Sequence, residues 1–285
     1  MRTESKAAQM MMLMAESIPV RIISEPLVSH DKMEPYGDAV IGMRAAQFDV
    51  AGVVDRVGNV LGYIDVKGRL SGTCGDKNHI HLLDPGSVVT DAMPIAEAGS
   101  LIARKRHVFV LERNKVTSIV TRADLQKAPV RMMIFGVITV LEMHLTDVLR
   151  QEWPGDEWSK CGSFTPKQVK AIESAFQQAR TRNDETDILG CMDLYDKSLL
   201  AGETASLFEV LRINGPDDLE SSDLADIRRL RNAVAHGKSL VTSNRSWNKV
   251  LQITIEAHKM SRVLEAVLED NTANGCSQTG TSEEL

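Results

Sequence analysis

Two stretches of the chain about sixty residues apart follow one plan, and this internal repeat constrains the fold more than any other feature. Phe48 to Asp55 alternates like a strand, Asp55 to Gly58 has turn chemistry, and Val60 to Val66 reads as a second strand. His107 to Leu111, the polar turn Glu112 to Lys115 and Val116 to Val120 repeat that hairpin, and Thr121 to Gln126 begins a helix. A helical segment precedes each hairpin, Met33 to Gln47 in the first copy and Asp91 to Lys105 in the second. Two copies of helix, strand, turn, strand, helix predict an α+β domain over residues 17–128.

From about Pro129 the β-type alternation stops. Arg131 to Glu152 reads as a long helix with an apolar first half. Thr165 caps the next, with Pro166 at the first helical position and Lys167 to Arg180 following. Further helices are expected over 187–200, 203–213, 217–237 and 247–269, the last keeping Ile253, Ala257, Met260, Leu264 and Val267 at helical spacing. Residues 129–270 are thus expected to form an all-α antiparallel bundle. Residues 1–16 read as a lead-in, and 271–285, made of Asn, Gly, Ser, Thr and Glu with little to bury, as a disordered tail.

A chain of 285 residues has room for both domains, and 43% apolar with 25% charged residues allows each a normal core. The formal net charge of −6 excludes broad, sequence-blind coating of nucleic acid, so any RNA contact must lie in a local cluster of Arg and Lys. Cys74, Cys161, Cys191 and Cys276 are far apart and form no CxxC pair. That excludes zinc-finger spacing and a disulfide framework, and it points to a reducing cytoplasm. Arg2 and Lys6 precede an apolar stretch, Met10 to Ala15, that is too short for the core of an export signal. The longest apolar run, Met132 to Leu141, falls well short of the roughly twenty residues that span a bilayer. It is expected as a buried helix, with no membrane partner.

The second copy carries apolar strand, polar turn, apolar strand and then Thr121-Arg122-Ala123-Asp124. This stretch, His107 to Asp124, resembles a tandem CBS pair, or Bateman module. The resemblance implies binding of an adenine nucleotide (ATP, ADP or AMP) as a regulatory ligand. It implies that Thr121 holds phosphate and Asp124 accepts from ribose hydroxyls, with Val108 and Arg122 beside them. Backbone N–H groups at a helix start favour an anion, and a carboxylate one turn on accepts from two vicinal hydroxyls. The same Thr-x-x-Asp spacing is also an ordinary helix cap. The first copy departs from the pattern: Asp65 stands where Thr or Ser is expected, and Gly68 where Asp is expected. An acid there repels phosphate, so at most one of two sites is equipped; a purely structural role, holding a dimer together, is the other reading. His79 and His81 alternate with Asp76 and Asp84 nearby, but no ligand set is completed and no metal site is expected.

Asp217 to Gly237 begins with Asp217, Asp218, Glu220, Asp223 and Asp226 and ends with Arg228, Arg229, Arg231 and Lys238 just beyond. This charge order suits the helix dipole, which by itself accounts for the arginines. Leu224, Ile227, Leu230 and Val234 form the apolar stripe, and Gly237 is placed to end the helix in a left-handed turn. Asn232 and His236, four apart, share a face, with Arg231 about 100° around the helix. This arrangement resembles the HEPN family, whose nuclease members carry Arg, a polar residue, a few residues and then His. The resemblance implies a homodimer with two such motifs across one cleft, and metal-independent RNA cleavage with no catalytic cofactor. The ribose 2′-hydroxyl attacks the adjacent phosphate, leaving a 2′,3′-cyclic phosphate and a 5′-hydroxyl. His236 moves a proton, Arg231 stabilises the phosphate, Asn232 orients His236 or binds phosphate, and Arg228, Arg229 and Lys238 line the RNA path.

Together the two resemblances imply a ligand-regulated endoribonuclease that joins a CBS-like α+β pair to a HEPN-like helical bundle, suited to stress response or phage defence. The rival readings are a non-enzymatic nucleotide sensor whose helical half binds a protein partner, and one component of a toxin–antitoxin pair silenced by its partner.

Overall fold

The computed structural model describes residues 18–213 and 215–278, without the side chains of Asp218 and of residues 271–278. The expected lead-in, residues 1–16, lies outside them. The chain divides into two compact units at Arg131/Met132.

In the first unit both hairpins form where alternation and turn chemistry meet. β1 (Glu25–Pro26) and β2 (Ser29–Asp31) precede α1 (Tyr36–Ala45), β3 (Val50–Val54) and β4 (Val60–Asp65). β5 (Val88–Thr90), α2 (Ile95–Lys105), β6 (His107–Glu112) and β7 (Lys115–Thr121) follow. The turn between β3 and β4 is closed by Asp55, whose carboxylate accepts from the Val57 and Asn59 N–H groups at 2.9 and 2.8 Å. The turn between β6 and β7 uses Arg113 and Asn114, both at positive φ (46° and 66°), the two-residue form whose twist matches its strands.

Each copy has a short extra strand before its helix. β2 pairs parallel with β3, and β5 with β6, so the repeating unit is strand, helix, strand, strand. A parallel pair needs a crossover connection, and α1 and α2 supply it. β1 crosses to the other copy and pairs antiparallel with β7, giving sheets of order β1-β7-β6-β5 and β2-β3-β4. The copies are thus joined into one unit by backbone hydrogen bonds. Tyr36, Val40, Met43, Ala51, Val53 and Ile64 fill the core of the first copy; Ile95, Ile102, Val108, Val110 and Val120 fill that of the second.

The closing helix expected in each copy is not there in the first. Residues 66–84 form turns, held by buried Tyr36. Its hydroxyl donates to the Asp65 carbonyl at 2.6 Å and accepts from the Gly68 N–H at 2.9 Å. A Cβ on Gly68 would lie 2.6 Å from that hydroxyl, so glycine stands there to admit the tyrosine. His79 stacks on the Tyr36 ring with centroids 3.9 Å apart, while His81 packs on Tyr63 at 5.0 Å. The two histidines serve separate packing contacts.

The second unit is helical: α3 (Ala128–Glu152), α4 (Pro166–Thr181), α5 (Leu194–Gly202), α6 (Phe208–Leu211), α7 (Asp223–Ala235) and α8 (Trp247–Gln278). α4 starts at the expected cap, where Thr165 and Gln168 form a reciprocal capping box. α3 is long and apolar enough to cross a membrane by length and composition, yet Ile134, Ile138, Leu141, Leu145 and Leu149 on it are buried in the unit. The helix expected over 187–200 starts only at Leu194, where Asp193 caps it by accepting from the Tyr195 and Asp196 N–H groups. The one expected over 203–213 reduces to a 3₁₀ turn and α6, which Arg212 ends in the left-handed region (φ 53°). The expected helix 217–237 is broken at Ser222. Its hydroxyl accepts from Ala225 N–H and starts α7 afresh after a 3₁₀ turn, Pro216–Ser221. α8 continues to Gln278 into the segment expected to be a disordered tail, since each added residue of an existing helix costs no new nucleus; residues 279–285 lie outside the described part.

Candidate functional site

The Arg231–His236 segment occupies the last turn of α7. Leu224, Ile227 and Leu230 are fully buried, and Ala233, in place of the expected Val234, completes the stripe. The helix stops at Gly237, whose φ is +64°. Gly237 N–H donates to Val234 O at 3.2 Å and Lys238 N–H to Ala233 O at 2.9 Å. This pair of bonds is a Schellman turn, which satisfies carbonyls that would otherwise be orphaned. It leaves His236 as the exposed C-cap residue. Among the described residues, its ring makes no hydrogen bond.

Asn232 is exposed on the same face, but its Oδ1 accepts from Arg231 at 3.4 Å rather than holding His236. The expected orienting role toward His236 is therefore not what the structure shows. Arg231 is the anchored member, its side chain 29% exposed and its Nε 3.9 Å from Glu142 Oε2. Glu142 on α3 also receives the buried Lys197 ammonium of α5 at 3.3 Å. Sequence reasoning missed both residues. The available signal was that Glu142 is the acid that ends the longest apolar run.

The expected RNA path is narrower than the arginines suggested. Arg228, its side chain 15% exposed, pairs with Glu220 at 2.6 Å, and its guanidinium lies 4.4 Å over the Tyr195 ring. Arg229 pairs with Glu220 at 3.1 Å and with Asp226 at 3.2 Å. Arg228 beside Glu220 holds that carboxyl below its usual range. Both arginines are thus spent on folding back to the helix start, and Lys238 is exposed just past the Schellman turn.

In the first unit, elements of both copies converge on one cavity of about 600 Å³, a size typical of small-molecule sites. The segments 47–50 and 63–67 come from the first copy, 106–107 and 119–124 from the second, and Glu25 and Pro26 close it. Phe48, Val50, Val66 and Ile119 give apolar wall, and the rings of Tyr63 and His107 meet edge to face at 5.3 Å. Burial pushes the His107 imidazole below its ordinary pKa, with Asp65 opposing, and raises that of the Tyr63 phenol.

Of the expected nucleotide residues, Thr121, Arg122 and Asp124 line this cavity. Val108 does not: it is wholly buried in the core, because neighbours on a strand face opposite ways and His107 takes the cavity side. The expected helix start at Thr121 is also absent. Asp124 Oδ2 accepts from Thr121 N–H at 2.7 Å and Thr121 Oγ1 at 2.9 Å, while its Oδ1 meets Lys127 at 2.8 Å. Arg122 N–H bonds to Arg106 O at 3.1 Å. Its guanidinium donates to the Ala103 carbonyl, and its Nε is buried without a hydrogen-bond partner among the described residues. Asp65, expected to spoil a separate site, lines this same cavity.

No protein-family model matches the chain, and no curated protein matches it. Solved structures are similar to about two-fifths of it. A CBS domain protein of unknown function from Thermoplasma acidophilum is 15% identical, over 42% of this chain and 75% of its own, with a TM-score of 0.34. The CBS domain of a bacterial CNNM/CorC family Mg2+ transporter in complex with ATP is 18% identical over 42% and 92%, TM-score 0.34. A CBS domain protein from Pyrobaculum aerophilum complexed with AMP is 16% identical over 38% and 90%, TM-score 0.32.

The Schellman turn has a direct consequence. No atom lies within 4 Å of a Cβ built on Gly237, so Gly237→Ala pays only the left-handed backbone term, about 1 kcal/mol. A lower urea midpoint at unchanged slope is the expected result; an unchanged midpoint would show that the turn does not hold the end of α7.

Proposed function

We propose that the chain is a metal-independent endoribonuclease whose helical unit cuts RNA and whose α+β unit binds an adenine nucleotide. The observation that carries the reading is the end of α7, where an exposed imidazole with no hydrogen bond among the described residues follows an anchored guanidinium by five residues.

The chemistry needs little else. His236 takes the proton of a ribose 2′-hydroxyl as its oxygen attacks the adjacent phosphorus. The 2′-O–P bond forms, the P–O5′ bond breaks, and the departing 5′-oxygen takes up a proton. The products are a 2′,3′-cyclic phosphate and a 5′-hydroxyl. Arg231 and Asn232 donate to the phosphate oxygens, on which charge builds in the transition state. One motif supplies one imidazole, so the HEPN resemblance completes the site with a second copy, the two His236 rings sharing the base and acid roles. Arg228 and Arg229 are structural in this reading, and Lys238 is the flanking cation for RNA.

In the α+β unit the cavity offers aromatic and apolar wall for a base, with Arg122, Thr121 and Asp124 beside it for the sugar and phosphate. The ligand must displace bonds that Asp124 makes within its own turn. Lys127, which holds Asp124, immediately precedes α3, so a ligand that favours one state of that turn acts on the helix that carries Glu142. It switches the enzyme only by binding active and inactive states with different affinity.

Two experiments test these assignments. Purified protein incubated with RNA in EDTA should cleave it, and Arg231→Ala and His236→Ala should each lower the rate by at least about 10²-fold. Equal rates in wild type and both variants overturn the nuclease reading. Calorimetry with AMP and ATP should show binding that Asp124→Ala weakens. Because Asp65 shares the cavity, Asp65→Asn should tighten ATP about tenfold, or ~1.4 kcal/mol, and AMP by less; ATP affinity indifferent to Asp65 would move the phosphates elsewhere.

A further inference from the structure

Glu142, Lys197 and Arg231 come from three helices of the helical unit and meet at one carboxylate. Lys197 is 5% exposed, and its ammonium reaches Glu142 Oε1 at 3.3 Å. The other oxygen, Oε2, faces Arg231 Nε at 3.9 Å. That distance is too long for a hydrogen bond, and Arg231 Nε is buried with no hydrogen-bond partner among the described residues. The guanidinium is therefore held at its inner edge by charge, while a terminal nitrogen donates outward to exposed Asn232.

Glu142 is shared by two cations, Lys197 within hydrogen-bonding distance and Arg231 at 3.9 Å, while Asp196 adds a second carboxylate that feels the Lys197 charge. Of the two cations Arg231 is the one that reaches the surface. A buried ion pair returns little stability beyond its own desolvation, and apolar residues of the same size would pack as well. With Lys197 drawing on Glu142, Arg231 is aimed without being neutralised.

Resting on the ribonuclease reading, we infer that Glu142 is a positioning residue for Arg231, that Lys197 fixes Glu142 in turn, and that the anion completing the cluster is an RNA phosphodiester. Neither residue touches substrate. Glu142 sets where the guanidinium points, and Lys197 keeps its charge available.

The test uses the full-length protein with Glu142→Gln, Glu142→Asp and Lys197→Met. The last keeps a long buried side chain and serves where Glu142→Gln fails to fold, which circular dichroism reports. Two readouts do not need catalysis: the affinity for an all-2′-O-methyl RNA oligonucleotide, which cannot be cleaved, and the ¹⁵N resonance of Arg231 Nε, assigned by its loss in Arg231→Ala. Glu142→Gln should shift that resonance and weaken the oligonucleotide about tenfold, Glu142→Asp should restore part of the affinity, and Lys197→Met should weaken it in the same direction by leaving Glu142 to neutralise Arg231. In cleavage, kcat of Glu142→Gln should fall more than KM rises. If the resonance and the affinity are indifferent to Glu142 and Lys197, the inference is overturned even where wild type cleaves RNA. If both respond as expected and wild type cleaves nothing, the positioning of Arg231 stands and the nuclease reading alone fails.

Discussion

An ionised group on a helix that is buried over most of its circumference has to be compensated, and that constraint organises the helical unit. α3 runs through the core with Ile134, Ile138, Leu141 and Leu145 at 0–1% exposure, and Glu142 lies among them. Leaving a carboxylate there unpaired would cost several kcal/mol. Lys197 on α5 and Arg231 on α7 answer it from two directions. The consequence reaches the surface, because a helix whose arginine is tied to the core has its rotation about its own axis fixed. Asn232 and His236 are then presented on a defined face, and the Schellman turn at Gly237 fixes how far the helix continues before the chain leaves.

Much of this was legible in the sequence, and the failures are instructive. The hairpins β3–β4 and β6–β7, the capped start of α4 and the glycine end of α7 all depend on neighbours a few residues away, which is the range over which side-chain pattern and turn chemistry act. β1, β2 and β5 are two or three residues long, too short to show alternation, and exist because a distant strand offers them partners. α7 began later than expected because Ser222 caps better than an acidic run propagates. Gly68 looked like a lost ligand and is a clearance for Tyr36. In the candidate site, Arg231, Asn232 and His236 were readable as a motif, whereas Glu142 and Lys197 are joined to it only by the packing of three helices. The arginines at 228 and 229 were overvalued, since only the structure shows them folded back on Glu220.

The two units divide the proposed work by their chemistry. The α+β unit encloses a cavity with aromatic wall and mixed charge, and its Thr121–Asp124 turn is closed by bonds from Thr121 to the Asp124 carboxylate. The helical unit presents the exposed Asn232 and His236 at one helix end, the open setting that the proposed attack on a polymer requires. The two are in series along the chain, with Asp124 bonded to Lys127 and the next residue opening α3.

In the proposed reaction His236 and Arg231 direct a 2′-hydroxyl onto its neighbouring phosphate with no metal. Mass spectrometry of the fragments released from a defined RNA in EDTA tests it most directly, alongside the same RNA carrying a single 2′-deoxy substitution at the cut. The fragments should end in 2′,3′-cyclic phosphate and begin with 5′-hydroxyl, with no cut at the substituted position. Fragments that begin with 5′-phosphate, or cleavage that ignores the missing 2′-hydroxyl, would contradict it.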